Sequence, residues 1–154
     1  MTVIQDGALV APVVASWADA PWMPYALAEL GQRELPGNAD NPRVVLYHSY
    51  AGGRAPDEVA WCSSFVNFCM AQAGVPRTEK KNARSWMRWG KETTAPFPGC
   101  VVIFSRPPKP ASGHVGFWVG AEGKNILVLG GNQNNSVCVK PYPAARLLAY
   151  RAMV

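Results

Sequence analysis

The run Trp61-Cys-Ser-Ser-Phe-Val-Asn-Phe-Cys-Met-Ala-Gln-Ala-Gly-Val-Pro76 carries the clearest periodicity in the chain. Counting from Cys62, apolar residues recur at Phe65, Val66, Cys69, Met70 and Ala73, one face of a 3.6-residue repeat, which predicts a helix. Gly74 supplies a terminator and Pro76 prevents continuation. Cys62 falls in the first turn of this helix, where the partial positive charge favours a thiolate. Cys69 falls mid-helix, as a structural cysteine does.

Helical signals continue on both sides. Pro24–Gln32 has helical composition, with Pro24 suited to a first turn. Asn41-Pro42 reads as a cap and first position for a helix reaching Tyr50. Ala83–Trp89 reads as a shorter helix. After Pro98-Gly99 the character changes. Five short segments, Cys100–Phe104, His114–Val119, Asn125–Leu129, Ser136–Val139 and Leu147–Arg151, are rich in β-branched or aromatic residues. Turn signals separate them at Pro107-Pro108, Glu122-Gly123, Asn134-Asn135 and Pro141–Pro143. Helices followed by strands predict an α+β domain with an antiparallel sheet.

The 154 residues suit one core. Residues 1–20 lack a period and are read as an irregular arm, leaving 21–154 as a single domain. No secretory leader and no spanning apolar run are evident, so stable membrane insertion is not expected. The net charge of +5 suits attraction to a polyanion. The basic residues are scattered, which argues against a nucleic-acid groove.

The four cysteines form no C-x-x-C pair, and two histidines are few for metal chemistry. Neither metal nor cofactor is expected. Cys100 and Cys138 both lie in strand-like segments, where a disulfide is one reading; small buried thiols are the preferred one.

A cysteine opening a helix and a histidine on a later strand is the arrangement a nucleophile–base pair needs. His114, after Gly113 and the loop 107–112, is the candidate base. A polar group usually holds such a ring. Gly130-Gly131-Asn132-Gln133 ends the next strand, and Asn132 is the first choice, with Gln133 the alternative.

The strings DEVAWCSSFVNFCMAQAGV, ARSWMRWG, GCVVIFSR, GHVGFWVG and VLGGNQNN occur in this order between Asp57 and Asn135. The chain resembles the CHAP-related branch of papain-like cell-wall amidases and endopeptidases, small phage lysins among them, over roughly Tyr25–Arg151. The resemblance implies a papain-like α+β fold with N-terminal helices packed on a C-terminal antiparallel sheet. It further implies Cys62 as nucleophile, His114 as base, and a polar third residue at Asn132. His48 precedes the nucleophile, the wrong order for the family. Many members carry Asp before the cysteine, where Trp61 stands here. The Cys62 backbone N–H is a natural oxyanion donor, and Tyr47 or Tyr50 is open as a second.

The expected reaction is cleavage of an amide bond in the peptide stem of bacterial peptidoglycan, through an acyl-enzyme. Two alternatives stay open: an inactive peptidoglycan-binding module, and a papain-like protease or transamidase acting on proteins. Synthesis without a leader implies release through a pore, as for a phage lysin, or delivery into rival cells. An immunity protein is the expected partner in the second case. A monomer is expected in both. Without a separate wall-binding module, targeting falls to the cleft and surface charge. Trp61, Trp86, Trp89 and Trp118 are read as core residues before sugar-stacking ones.

Overall fold

The computed structural model describes residues 3–5, 8–10, 17–37, 39–56 and 60–153. Within the stretch read as an irregular arm, β1 (Val3–Gln5) and β2 (Ala8–Val10) pair antiparallel. Three α-helices follow: α1 (Met23–Ala28), α2 (Pro42–Ser49) and α3 (Cys62–Gln72). A short 3-10 helix covers Ala83–Arg88. β3 (Lys91–Thr93), β4 (Val101–Arg106), β5 (Lys109–Glu122), β6 (Asn125–Gln133), β7 (Ser136–Pro143) and β8 (Leu147–Ala152) complete the chain. They form one antiparallel sheet in the order β3-β8-β4-β5-β6-β7. This is the α+β, papain-like arrangement that the sequence predicts. No helix among the described residues is long and apolar enough to cross a membrane.

α2 starts as its sequence dictates: Asn41 Oδ1 accepts the Arg43 N–H at 2.8 Å, and Pro42 occupies the first helical position. α3 ends on Gly74 at φ 69°, with Gly74 N–H bonded to Ala71 O and Val75 N–H to Met70 O, the two bonds of a Schellman motif. The predicted first helix is shorter than Pro24–Gln32. Its C-terminal part turns away to meet β7, where Gly31 N–H bonds Val137 O and Val137 N–H bonds Gln32 O.

α3 differs from the one-faced helix its periodicity suggests. Every residue from Cys62 to Met70 is buried. Ser63, Ser64 and Asn67 lie off the apolar face, and each is hydrogen bonded: Ser63 Oγ to Lys80 O, Ser64 Oγ to His48 Nδ1, and Asn67 to the 78–80 segment. Small polar side chains with local partners thus let the helix sit inside the protein without unmet donors.

The main core lies between the helices and one face of the sheet, joining Phe65, Val66 and Cys69 to Val101, Ile103, Val115, Phe117 and Leu129. A second cluster of Val102, Phe104, Ile126 and Val128 covers the other face. Trp61 and Trp86 are fully buried and Trp89 nearly so, and Trp118 packs on the second cluster. The buried indoles donate to Glu34 Oε1, Ser63 Oγ and Pro76 O. Cys62, Cys69, Cys100 and Cys138 are all free thiols, and Cys100 does not pair with Cys138. Burial pushes the Cys100 thiol up to about 11.

α3 is seated on β6 at Gly131. A Cβ there would stand 2.8 Å from Phe65 Cβ and from two ring atoms of Trp61. Phe65 Cβ is fixed to the helix backbone and cannot swing aside. Gly131→Ala is therefore expected to cost about 1–3 kcal/mol by overpacking, read as a melting midpoint lowered by about 3–10 °C. An unchanged midpoint would show that α3 and β6 are less closely apposed.

Candidate active site

Cys62 opens α3 and is 5% exposed; His114 lies on β5 and is 1% exposed. His114 is well inside its strand, not at the start of one. Residues 109–112, expected as loop, extend β5, with Lys109 opposite Arg106 and Gly113 opposite Ser105 at the end of β4. Register sets the direction of the ring. Phe104 is opposite His114, and Ile103 opposite Val115. His114 therefore shares the second-cluster face with Phe104, while Val115 faces α3. The Val115 backbone N–H is near enough to lower the Cys62 thiol, which places the sulfur close to β5 at the residue after His114.

No hydrogen bond joins the two side chains. His114 Nδ1 is buried and has no hydrogen-bond partner among the described residues. Its other nitrogen is bonded: Nε2 is 2.8 Å from Gln133 Oε1. The Gln133 amide has a determined orientation, because Nε2 donates to Val128 O at 3.1 Å and Cys138 O at 2.7 Å. Oε1 must then accept, so His114 Nε2 carries the proton and Nδ1 the lone pair. A buried basic nitrogen without a partner is the form a proton acceptor requires.

Asn132, the first choice for the third residue, does not hold the ring. Simple alternation would put Asn132 on the same face as Gly130 and His114, and Gln133 on the opposite one. A bulge inverts this: Gly130 pairs with Cys138, but Gln133 already pairs with Ser136. Three residues on β6 span two on β7, which turns Gln133 towards His114. Asn132 takes the strained corner at φ 58°, a conformation asparagine tolerates. Gly130 is needed beneath the pair, since a Cβ there would lie 2.5 Å from Gln133 Oε1 and 3.5 Å from His114 Nε2.

Two further residues shape the site without having been anticipated. Tyr142 stacks on the imidazole, centroids 4.6 Å apart and planes at 17°. It stands between two prolines that read as a turn. They are accommodated because β7 is an edge strand. Arg106, exposed at the end of β4, is close enough for its charge to act on Cys62, His114 and Tyr142. The two tyrosines left open as oxyanion donors are otherwise engaged. Tyr47 is buried and donates to Glu29 Oε1 at 2.6 Å, while Tyr50 packs on Phe68 and its hydroxyl accepts from Gln72. Among the described residues, no three His, Cys, Asp or Glu side chains converge as metal ligands.

The electrostatics favour a neutral pair at rest. Burial raises the Cys62 thiol above its usual range, against the pull of the Val115 N–H, the Arg106 charge, and the Ser63 and Cys62 N–H groups. Burial lowers His114 to about 4; the Gln133 bond opposes this, and the charges of Arg106 and Lys140 add to it.

The unfolded histidine, near 6.5, takes up its proton before the folded one does. Stability contributed by neutral His114 is present above pH 6.5 and lost as pH falls towards 4. Between pH 7 and 5 this amounts to about 2 kcal/mol. Urea unfolding at both pH values should show that loss, and His114→Gln should abolish it. Equal pH dependence in both proteins would place the imidazole in contact with water.

A family model described as the CHAP domain matches residues 54–132, just over half of the chain and inclusive of Cys62 and His114. The chain belongs to the CHAP family. No curated protein matches it. CHAP domains are typically cysteine- and histidine-dependent amidohydrolases, and membership points in general terms to hydrolase, amidase or peptidase action on peptidoglycan. Gln133 lies one position beyond the matched segment.

Proposed function

We propose that this CHAP protein cleaves an amide bond in the peptide stem of peptidoglycan, with Cys62 as nucleophile, His114 as base and Gln133 as the residue that positions the imidazole. The observation that carries the proposal is the buried, partnerless Nδ1 of His114, with its tautomer set by Gln133, on the strand whose Val115 N–H acts on the Cys62 thiol.

The chemistry follows from that geometry. His114 Nδ1 takes the thiol proton as Cys62 sulfur attacks the amide carbonyl. The negative charge on the carbonyl oxygen is met by backbone N–H groups at the start of α3, Cys62 N–H first among them. Collapse expels the amine, which takes the proton from Nδ1, and leaves a thioester on Cys62. Water then gives a proton to Nδ1 and attacks the thioester, releasing the acid and regenerating the thiol. The Arg106 charge favours the thiolate while opposing the imidazolium, so it lowers the energy of one half of the ion pair and raises the other.

Dye release from labelled, purified peptidoglycan tests the base assignment. His114→Ala should lose about 10³-fold or more in rate, as loss of a base coupled to a nucleophile does, with its circular dichroism unchanged. A folded His114→Ala variant at wild-type rate would exclude His114.

A further inference from the structure

A groove of about 540 Å³ opens between the segment around residues 77–82 and the short helix Ala83–Arg88. Arg77, Lys80, Arg84 and Arg88 line it together with Thr78 and Ser85, and among the described residues no acidic side chain does. Cys62, His114 and Gln133 take no part. The neighbouring Glu79 carboxylate lies against Arg77 at 3.4 Å and answers one of the four positive charges. Lys80 and Arg88 are exposed, and neither side chain has a partner among the described residues. Like charges gathered in one concavity repel each other unless an anion occupies it.

The groove is rigidly built. Buried Asn67 holds one wall, with Oδ1 accepting the Glu79 N–H at 2.8 Å and Nδ2 donating to Lys80 O at 3.2 Å. This fixes Glu79 at φ 58°, a conformation unfavourable for a side chain other than glycine. Ser85 Oγ joins Thr78 Oγ1 at 2.9 Å across the groove, and Trp89 Nε1 joins Pro76 O at 2.7 Å. Both walls also rest on Ser63, the residue after Cys62: its Oγ donates to Lys80 O and accepts from Trp86 Nε1. Arg84 Nε donates to Ser112 O, two residues before His114. A polymer held in the groove would thus lie alongside the elements that carry the thiol and the imidazole.

We infer that this groove is an exosite for the phosphodiester backbone of an anionic polymer attached to the wall. Guanidinium groups match phosphate oxygens in paired hydrogen bonds, and a polymer presents such groups in series to several cations at once. The attribution to a wall polymer rests on the peptidoglycan reading above; the affinity for phosphate does not.

The test uses the full chain and inorganic tripolyphosphate, followed by titration calorimetry. Lys80→Gln/Arg88→Gln removes two charges without disturbing a hydrogen bond. Lys124→Gln/Arg146→Gln removes two exposed charges elsewhere. The first variant should bind about tenfold or more weakly, as two lost charge-assisted contacts require, and the second within about twofold of wild type. Equal weakening in both would reduce the effect to net charge and overturn the site, as would the absence of binding by wild type. Sedimentation with sacculi of a phosphate-polymer-bearing wall, before and after hydrofluoric acid removes those polymers, identifies the source. Capture should fall about fivefold or more on stripping; unchanged capture would mean that stem carboxylates, not phosphodiesters, are bound. Tripolyphosphate binding by a protein that degrades no wall would leave the phosphate site standing and remove the hydrolase reading alone.

Discussion

Cys62→Ala is expected to reduce the rate of wall degradation by about 10³-fold or more, because no other group can form the covalent bond to the carbonyl. The fold should persist. The substitution keeps Cβ and deletes one sulfur at a position bonded only through the thiol to backbone N–H groups. Such a change is expected to alter stability by no more than about 1–2 kcal/mol. Cys69 serves as the internal control. It is also buried on α3, and burial pushes its thiol well above the ordinary range with no backbone donor but its own N–H to oppose it. Cys69→Ala should retain most of the activity. Comparable losses in the two variants would mean that packing of α3, not thiol chemistry, governs the rate.

The second large effect is at Gln133. Gln133→Leu strands His114 Nε2–H, Val128 O and Cys138 O, all bonded to the amide in the native protein. The unmet groups should cost about 2–4 kcal/mol together. Activity should fall about 10²-fold, because the ring loses both its orientation and its tautomer. A purely structural residue would produce the first effect without altering titration of the imidazole. Gln133→Glu separates the two: a carboxylate beside Nε2 stabilises the imidazolium and raises His114 from about 4, so the acid limb of the rate profile should move to higher pH. Asn132→Ala should leave the profile and the rate within about threefold of wild type, since its side chain does not reach the ring. Loss at Asn132 with tolerance at Gln133 would restore the simple alternation that the bulge overturns.

These predictions also mark where the sequence stops being readable. The period of Phe65, Val66, Cys69 and Met70 located α3, and the resemblance around Trp61–Val66 and Gly113–Gly116 singled out the thiol and the imidazole. Both depend on short-range patterns. Selecting Gln133 over Asn132 depends on a bulge that exchanges the faces of two adjacent residues, and Gly130-Gly131-Asn132 reads equally as a turn. Tyr142 was obscured for a related reason: Pro141 and Pro143 signal a turn unless the strand is known to be an edge. The apolar period of α3 says nothing of Ser63, Ser64 and Asn67, and only the tertiary fold supplies the partners that bury them. Arg77, Lys80, Arg84 and Arg88 lie close together in sequence, but only the bonds from Asn67 and Ser63 fold that stretch into one groove.

The most direct measurement is mass spectrometry of purified peptidoglycan digested in parallel by the wild-type protein and by Cys62→Ala. Wild type should release fragments with a new amine and a new carboxyl group from one amide of the stem, with glycan chains intact, and the variant should release none. Identical fragments from both proteins, or new reducing sugar ends with intact stems, would contradict cleavage by the Cys62 thiol.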